Sequence, residues 1–209
     1  MQKEKMAQAL DILQNIYADT QTALHYKTPF ELLVATMLSA QCTDNQVNKV
    51  TAELFKEYNT PEKMCRLTQE QLEKHIKSCG FYRNKAKNIL AAAKEITEKH
   101  NGNVPDSVDE LVRLPGVGRK TANVVVSNAF GRDAIAVDTH VFRVANRIGL
   151  SNAKTVHRTE MDLMGNIPKE LWSQAHHWLI WHGRKICKAR KPLCGDCPVN
   201  SFCEYVKRK

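Results

Sequence analysis

The chain has 209 residues, 43% apolar and 25% charged, with nine Gly and seven Pro spread along it. That excludes a disordered, collagen-like or low-complexity chain and allows a real buried core. Lys and Arg number 31 against 22 acidic residues, a formal +9, which favours an anionic partner and says nothing of the fold.

In chain order, Met1 to Lys5 is polar, and no apolar run nears the roughly 20 residues of a membrane helix, so a soluble protein without an export signal is expected. Met6, Leu10, Leu13 and Tyr17 then fall at i, i+4, i+7 and i+11, the stripe of an amphipathic helix. The same stripe recurs at Phe30, Leu33, Met37, at Val47, Val50, Leu54, Tyr58, at Ile89, Ala93, Ile96, and at Val141, Val144, Ile148. Thr28-Pro29, Thr60-Pro61 and Ile167-Pro168 read as helix starts, with Pro at or near the first turn, where its missing N–H costs nothing. Gly80, Gly102, Gly131 and Gly149 read as stops. The run Val124-Val125-Val126 has no hairpin signal beside it and reads as a fully buried helix rather than a strand. The fold class is all-α, with about ten or eleven helices joined by short loops and no long linker or repeat.

Three places carry chemistry. Leu114-Pro115-Gly116-Val117-Gly118 separates a short helix ending at Leu114 from one starting near Arg119. Two glycines let the backbone turn sharply and approach a partner, and the free N–H groups at a helix start favour an anion. The device suits a phosphate backbone held without reading base sequence. Lys120 sits in the first turn of the second helix. The helix dipole disfavours a cation there and Arg119 adds like charge, so the neutral amine gains; a nucleophile and a plain phosphate contact both remain open. Asp138-Thr139-His140 follows eighteen residues on. Asp138 stands where a helix cap belongs, yet a carboxylate beside bound phosphate is a cost that a catalytic role would justify.

The third place is Cys187, Cys194, Cys197 and Cys203, spaced C-x6-C-x2-C-x5-C. Seven cysteines in all, with no export signal, argue against a disulfide framework. Four thiolates packed so closely require a metal centre to absorb their charge, and the spacing leaves zinc and an iron-sulfur cluster both open. Cys42, Cys65 and Cys79 read as buried hydrophobes.

Taken together, Leu114 to Lys120, Val137 to His140 and the four-cysteine spacing resemble the DNA glycosylase/AP lyases of the helix-hairpin-helix superfamily. Leu38-Ser39-Ala40-Gln41, Gly80-Phe81-Tyr82 and Ala129-Phe130-Gly131 extend the likeness over most of the chain. The resemblance implies two helical lobes: a helical barrel over residues 22–132 holding the helix-hairpin-helix of 108–127, and a second lobe of residues 1–21 and 133–209 with a cluster loop at 187–203. DNA is expected in the cleft between them. It further implies Lys120 as nucleophile, Asp138 as its catalytic partner, and a 4Fe-4S cluster on Cys187, Cys194, Cys197 and Cys203. Gln41 is expected to fill the gap left by a flipped nucleotide and Phe81 to wedge the opposite strand. Gly116, Gly118, Arg119, His140 and Lys191 are expected to contact DNA.

The implied activity is removal of oxidised or ring-saturated pyrimidines such as thymine glycol from double-stranded DNA, followed by cleavage at the abasic site. The implied setting is a monomer in the bacterial cytoplasm, on the nucleoid, with no membrane partner. Phe81 departs from the aliphatic residue usual for the wedge, Cys42 from the usual Ala or Thr, and Arg132-Asp133 from a proline-bearing loop. Two other readings compete: a monofunctional adenine glycosylase, which lacks the nucleophilic lysine, and a non-catalytic DNA-binding protein with a four-cysteine zinc site.

Overall fold

The computed structural model describes residues 2–208. Among them are twelve α-helices, two short 3-10 turns and no strand. The excess over the expected ten or eleven comes from helices of four residues, too short for a hydrophobic period to register. No helix among the described residues is long and apolar enough to cross a membrane. The chain divides into two compact units, Met1–Gln21 with Arg132–Lys209, and Thr22–Gly131. The first helix, α1 (Lys3–Tyr17), belongs to the discontinuous unit.

The continuous unit holds α2 (Pro29–Ser39), α3 (Asp44–Leu54), α4 (Pro61–Met64), α5 (Gln69–Ile76), α6 (Tyr82–Lys99), α7 (Val108–Leu111) and α8 (Arg119–Phe130). Thr28, Thr43, Thr60, Thr68 and Ser107 cap five of these helices by accepting a backbone N–H with the side-chain oxygen, each cap worth about 1 kcal/mol. Pro29 and Pro61 occupy the first turn behind their Thr caps, as the sequence predicts. Helix α2 is buried from Phe30 to Leu38 and packs against α8. On α8 the run Val124-Val125-Val126 is buried and helical, each valine contributing about 1.5–3 kcal/mol by leaving water.

The discontinuous unit continues with α9 (Thr139–Ile148), α10 (Val156–Asn166), a 3-10 turn (Lys169–Leu171), α11 (Trp172–Lys185), a second 3-10 turn (Asn200–Phe202) and α12 (Glu204–Lys207). Helix α11 packs against both α1 and α9. The core joins Leu10, Leu13 and Tyr17 to Val141, Val144, Ile148 and Trp178, so the stripes on α1 and α9 face inward as their spacing requires.

Four local differences from expectation have simple causes. Helix α7 ends at Leu111 rather than Leu114, because Arg113 and Leu114 donate in the tighter i to i−3 pattern, to Glu110 and Leu111. Helix α3 stops at Leu54, although the Tyr58 N–H still reaches the Leu54 carbonyl at 3.0 Å. Pro168 precedes a 3-10 turn rather than an α-helix. Gly80 ends no helix; it stands just ahead of α6.

Candidate nucleic-acid interface and cluster site

In the continuous unit, Leu114 and Val117 are buried and pin the turn from beneath, while Gly116, Gly118, Arg119 and Lys120 are exposed. Gly116 adopts φ +74, and a Cβ there would lie 2.6 Å from Cβ of Asn88. Both the left-handed backbone and the close approach therefore require glycine. Gly118 is the N-cap of α8, in extended conformation and without a side-chain cap. Ala122 N–H donates to Gly118 O at 3.0 Å, closing the first turn of α8, and a helix start of this kind favours an anion. Lys120 is the second residue of this helix, and the buried stretch behind it, Ala122 to Ser127, fixes its direction.

Two turns of the same unit project the other expected DNA contacts. Gln41, exposed, has φ +53 just after α2. Phe81 has φ +57 at the N-cap of α6 and is 68% exposed. A left-handed backbone at a bulky residue is strained, and here it holds a large apolar ring out in water. The turns adjoin: a Cβ on Gly80 would meet Gln41 O at 3.6 Å, and Gln46 Nε2 donates to Ser78 Oγ at 2.8 Å.

In the discontinuous unit, Asp138 caps α9. Its Oδ1 accepts from the N–H groups of His140 and Val141, both at 2.8 Å, so the cap occupies one carboxylate oxygen. His140 is half-buried, and Arg143 NH2 lies 3.2 Å from its Nδ1. Burial holds the His140 pKa below the usual value, with the Asp138 charge opposing and Arg143 and Arg184 assisting. Gly183 lets α11 close on α9: a Cβ there would stand 3.0–3.2 Å from Val144, His140 and Arg143.

Cys187, Cys194, Cys197 and Cys203 line one cavity with Ile148, His182, Ile186 and Leu193. No group of three or more His, Cys, Asp or Glu among the described residues converges closely enough for a single ion. Four thiols on one cavity are the donor set of a thiolate metal centre. Burial pushes the Cys197 thiol up to about 11, and the other three cysteines add like-charge repulsion. Thiols in that setting ionise together only around a cationic core.

Donors to sulfur are present as well. Arg147 NH1 donates to Cys187 Sγ at 3.6 Å, and His182 Nε2 lies 3.5 Å from Cys197 Sγ. The other ring nitrogen of His182 is paired with Tyr17 OH at 3.2 Å. The donor set and its surroundings fit a 4Fe-4S cluster.

Between Cys187 and Cys194 the chain has no regular structure. It is closed by Leu193 N–H to Ile186 O at 3.0 Å and clamped by Arg147, which donates to Lys188 O and Ala189 O, both at 2.8 Å. Arg147 also stacks on Tyr205 at 4.7 Å, while Arg143 donates to Cys187 O and Gly183 O. Arg190 and Lys191 stand exposed on the clamped loop. Sequence reasoning missed Arg143 and Arg147; the signal was their helical register with His140 at i+3 and i+7.

Residues 34–169 match the family model described as "HhH-GPD superfamily base excision DNA repair protein". Residues 187–203 match the iron-sulfur binding domain of endonuclease III. Endonuclease III of Bacillus subtilis is 53% identical over 201 residues, spanning 96% of this chain and 92% of that protein. The chain belongs to the endonuclease III family. Endonuclease III of Rickettsia prowazekii is 49% identical, with 98% of this chain and 97% of that protein covered. A trapped endonuclease III-DNA covalent intermediate superposes with a TM-score of 0.94 at 49% identity, over 100% of this chain and 98% of that one. Endonuclease III enzymes are bifunctional glycosylase/AP lyases of base excision repair and carry a 4Fe-4S cluster. Both competing readings from the sequence, adenine glycosylase and zinc protein, thereby fall away.

Proposed function

We propose that this enzyme removes oxidised or ring-saturated pyrimidines, thymine glycol among them, from double-stranded DNA and cleaves the strand at the resulting abasic site. One observation carries the reading most directly: Lys120 is exposed in the uncapped first turn of α8, behind a hairpin whose Gly116 backbone no other residue fits. The damaged nucleotide leaves the base stack, because its sugar carbon is out of reach inside the duplex. The Lys120 amine attacks C1′ and the base departs. Asp138 takes up the amine proton and stabilises the cationic sugar, the oxygen not engaged in capping α9 being suited to this. A Schiff base results, and β-elimination breaks the strand on its 3′ side.

Backbone N–H groups at Gly116 and Gly118, with Arg119, hold phosphates at the hairpin; His140 and Lys191 hold others. Gln41 fills the gap left by the flipped nucleotide and Phe81 wedges the opposite strand. Cys187, Cys194, Cys197 and Cys203 hold the cluster, which supplies a rigid cross-link to the loop and takes no part in base release, a step without electron transfer. The division into a hairpin lobe of residues 22–132 and a cluster lobe of residues 1–21 and 133–209 belongs to the same reading. So do action as a monomer and location on the nucleoid in the bacterial cytoplasm.

Borohydride trapping on thymine-glycol duplex tests the assignment. Wild type is expected to form a covalent complex. Lys120→Ala is expected to form none and to lose turnover by at least about a thousandfold, with DNA affinity retained. Undiminished trapping in the variant overturns the Schiff-base role.

A further inference from the structure

The apolar stripe of α1 ends on Tyr17, and a hydroxyl is what such a stripe does not require. Tyr17 is buried, and its backbone is held in place, the carbonyl accepting from the Thr20 N–H at 3.0 Å and from the Thr20 hydroxyl at 2.7 Å. The hydroxyl lies 3.2 Å from Nδ1 of His182, with the two rings edge to face at 6.0 Å. His182 is fully buried on α11. Its carbonyl accepts from the N–H groups of both Ile186 and Cys187, at 2.9 and 2.8 Å, and its Nε2 lies 3.5 Å from Cys197 Sγ. Groups from α1, α11 and the cluster loop thus form one relay of hydrogen bonds inside the discontinuous unit.

The direction of the relay follows from its last member. A cysteine that ligates iron is a thiolate and has no proton to give, so the hydrogen between Nε2 and Sγ belongs to His182. A neutral imidazole, the form that full burial favours, carries a single N–H. With that hydrogen on Nε2, Nδ1 is the acceptor and the Tyr17 hydroxyl donates to it.

We propose that Tyr17 is a positioning residue for the cluster: its hydroxyl holds the imidazole hydrogen of His182 on Nε2, against the Cys197 thiolate, and so makes the cluster harder to oxidise. The proposal rests on the reading of Cys197 as a cluster ligand. A donor on a ligating sulfur withdraws negative charge from it, so the electron-richer state of the cluster gains more than the electron-poorer one and the reduction potential rises. The buried setting leaves that hydrogen bond unscreened. Which ring nitrogen carries the hydrogen is set by the bond the other makes. Without the Tyr17 hydroxyl the hydrogen is free to move to Nδ1, and Nε2 then turns a lone pair toward the sulfur. Arg147 NH1, the donor to Cys187 Sγ, is independent of Tyr17, because a guanidinium keeps all its N–H groups.

Holoprotein and its Tyr17→Phe variant are compared by voltammetry of the cluster, after iron analysis and base release on thymine-glycol duplex show that both are loaded and active. Iron content and turnover are expected to stay at the wild-type level. The ratio of oxidised to unoxidised cluster at a fixed potential is expected to rise about threefold, a fall of about 28 mV at about 59 mV per tenfold for one electron. Nitrogen NMR of histidine-labelled holoprotein is expected to show His182 protonated on Nε2 alone, and the variant to shift toward protonation on Nδ1.

Wild-type His182 protonated on Nδ1, or on both nitrogens, overturns the relay whether or not the variant folds. So does an unmoved or raised potential in a fully loaded Tyr17→Phe protein. A full complement of iron in Cys197→Ala overturns the ligand reading beneath the proposal, a result distinct from either of these.

Discussion

In the proposed grip, the groups offered to a phosphate at the hairpin are backbone N–H groups at the start of α8, behind a glycine that its neighbours oblige. At the cluster loop they are the side chains of Arg190 and Lys191, on a segment without regular structure that is fastened by Arg147 and by cysteines at its two ends. The first device relies on neutral backbone donors with one cation, Arg119, and is encoded in contiguous residues. The second is charged, depends on partners far along the chain, and requires a cofactor for its shape. Arg119 and the helix start beside Lys120 both favour its neutral amine, while full charges farther off would supply attraction to the duplex.

The largest expected effect comes from removing the fastening of the loop. Cys197→Ala should lose the visible absorption of the cluster and destabilise the protein by on the order of several kcal/mol, because cluster binding is also folding free energy for this segment. DNA affinity should fall together with the salt dependence contributed by Arg190 and Lys191. Thermal melting and salt-dependent binding check both, and unchanged affinity would show that the loop does not touch DNA.

Asp138→Asn comes next. Asn caps a helix as well as Asp does, so the hydrogen bonds to His140 and Val141 should survive and stability should change by less than about 0.5 kcal/mol. Single-turnover base release should fall about a hundredfold. A rate near wild type would reduce Asp138 to a cap.

The two hairpin glycines separate folding from binding. Gly116→Ala forces a side chain to φ +74 and into Asn88, which should cost about 1–3 kcal/mol in thermal or denaturant unfolding. Gly118→Ala meets nothing within 4 Å and should cost under about 1 kcal/mol of stability. On the proposed grip its methyl would stand where a phosphate approaches, so affinity should drop about tenfold, or about 1.4 kcal/mol. Equal effects of the two substitutions on stability would break this assignment.

The same contrast governs what the sequence shows. The hairpin was legible because every requirement lies within a few consecutive residues: two glycines, a helix start and a lysine. The stripes on α1, α2, α6 and α9 were legible because burial imposes a period on adjacent turns. The cysteine spacing announced a metal centre but left zinc and iron-sulfur open, since the choice depends on the space between thiols rather than on their order. Arg147 was missed because the carbonyls it clamps lie 41 and 42 residues on. The left-handed backbone of Phe81 was missed because no local rule places a bulky residue there.

The smallest expected effect is the sharpest test of the difference between the two devices. Each Lys or Arg that neutralises a phosphate displaces condensed counterions, so the slope of log affinity against log salt counts charged contacts. Lys191→Ala should therefore reduce the magnitude of that slope by about 1 while weakening binding only a few-fold at moderate salt. A backbone N–H bonded to the same kind of oxygen brings no full charge. Gly118→Ala should accordingly weaken binding by a similar factor at every salt concentration and leave the slope where it was. Fluorescence titrations of both variants over a salt series decide the matter. Parallel lines for wild type and Gly118→Ala, with a shallower line for Lys191→Ala, assign neutral grip to the hairpin and charged grip to the cluster loop. A shallower line for Gly118→Ala would mean that its methyl acts through Arg119 rather than through the backbone, and the contrast between the two regions would then lie in geometry alone.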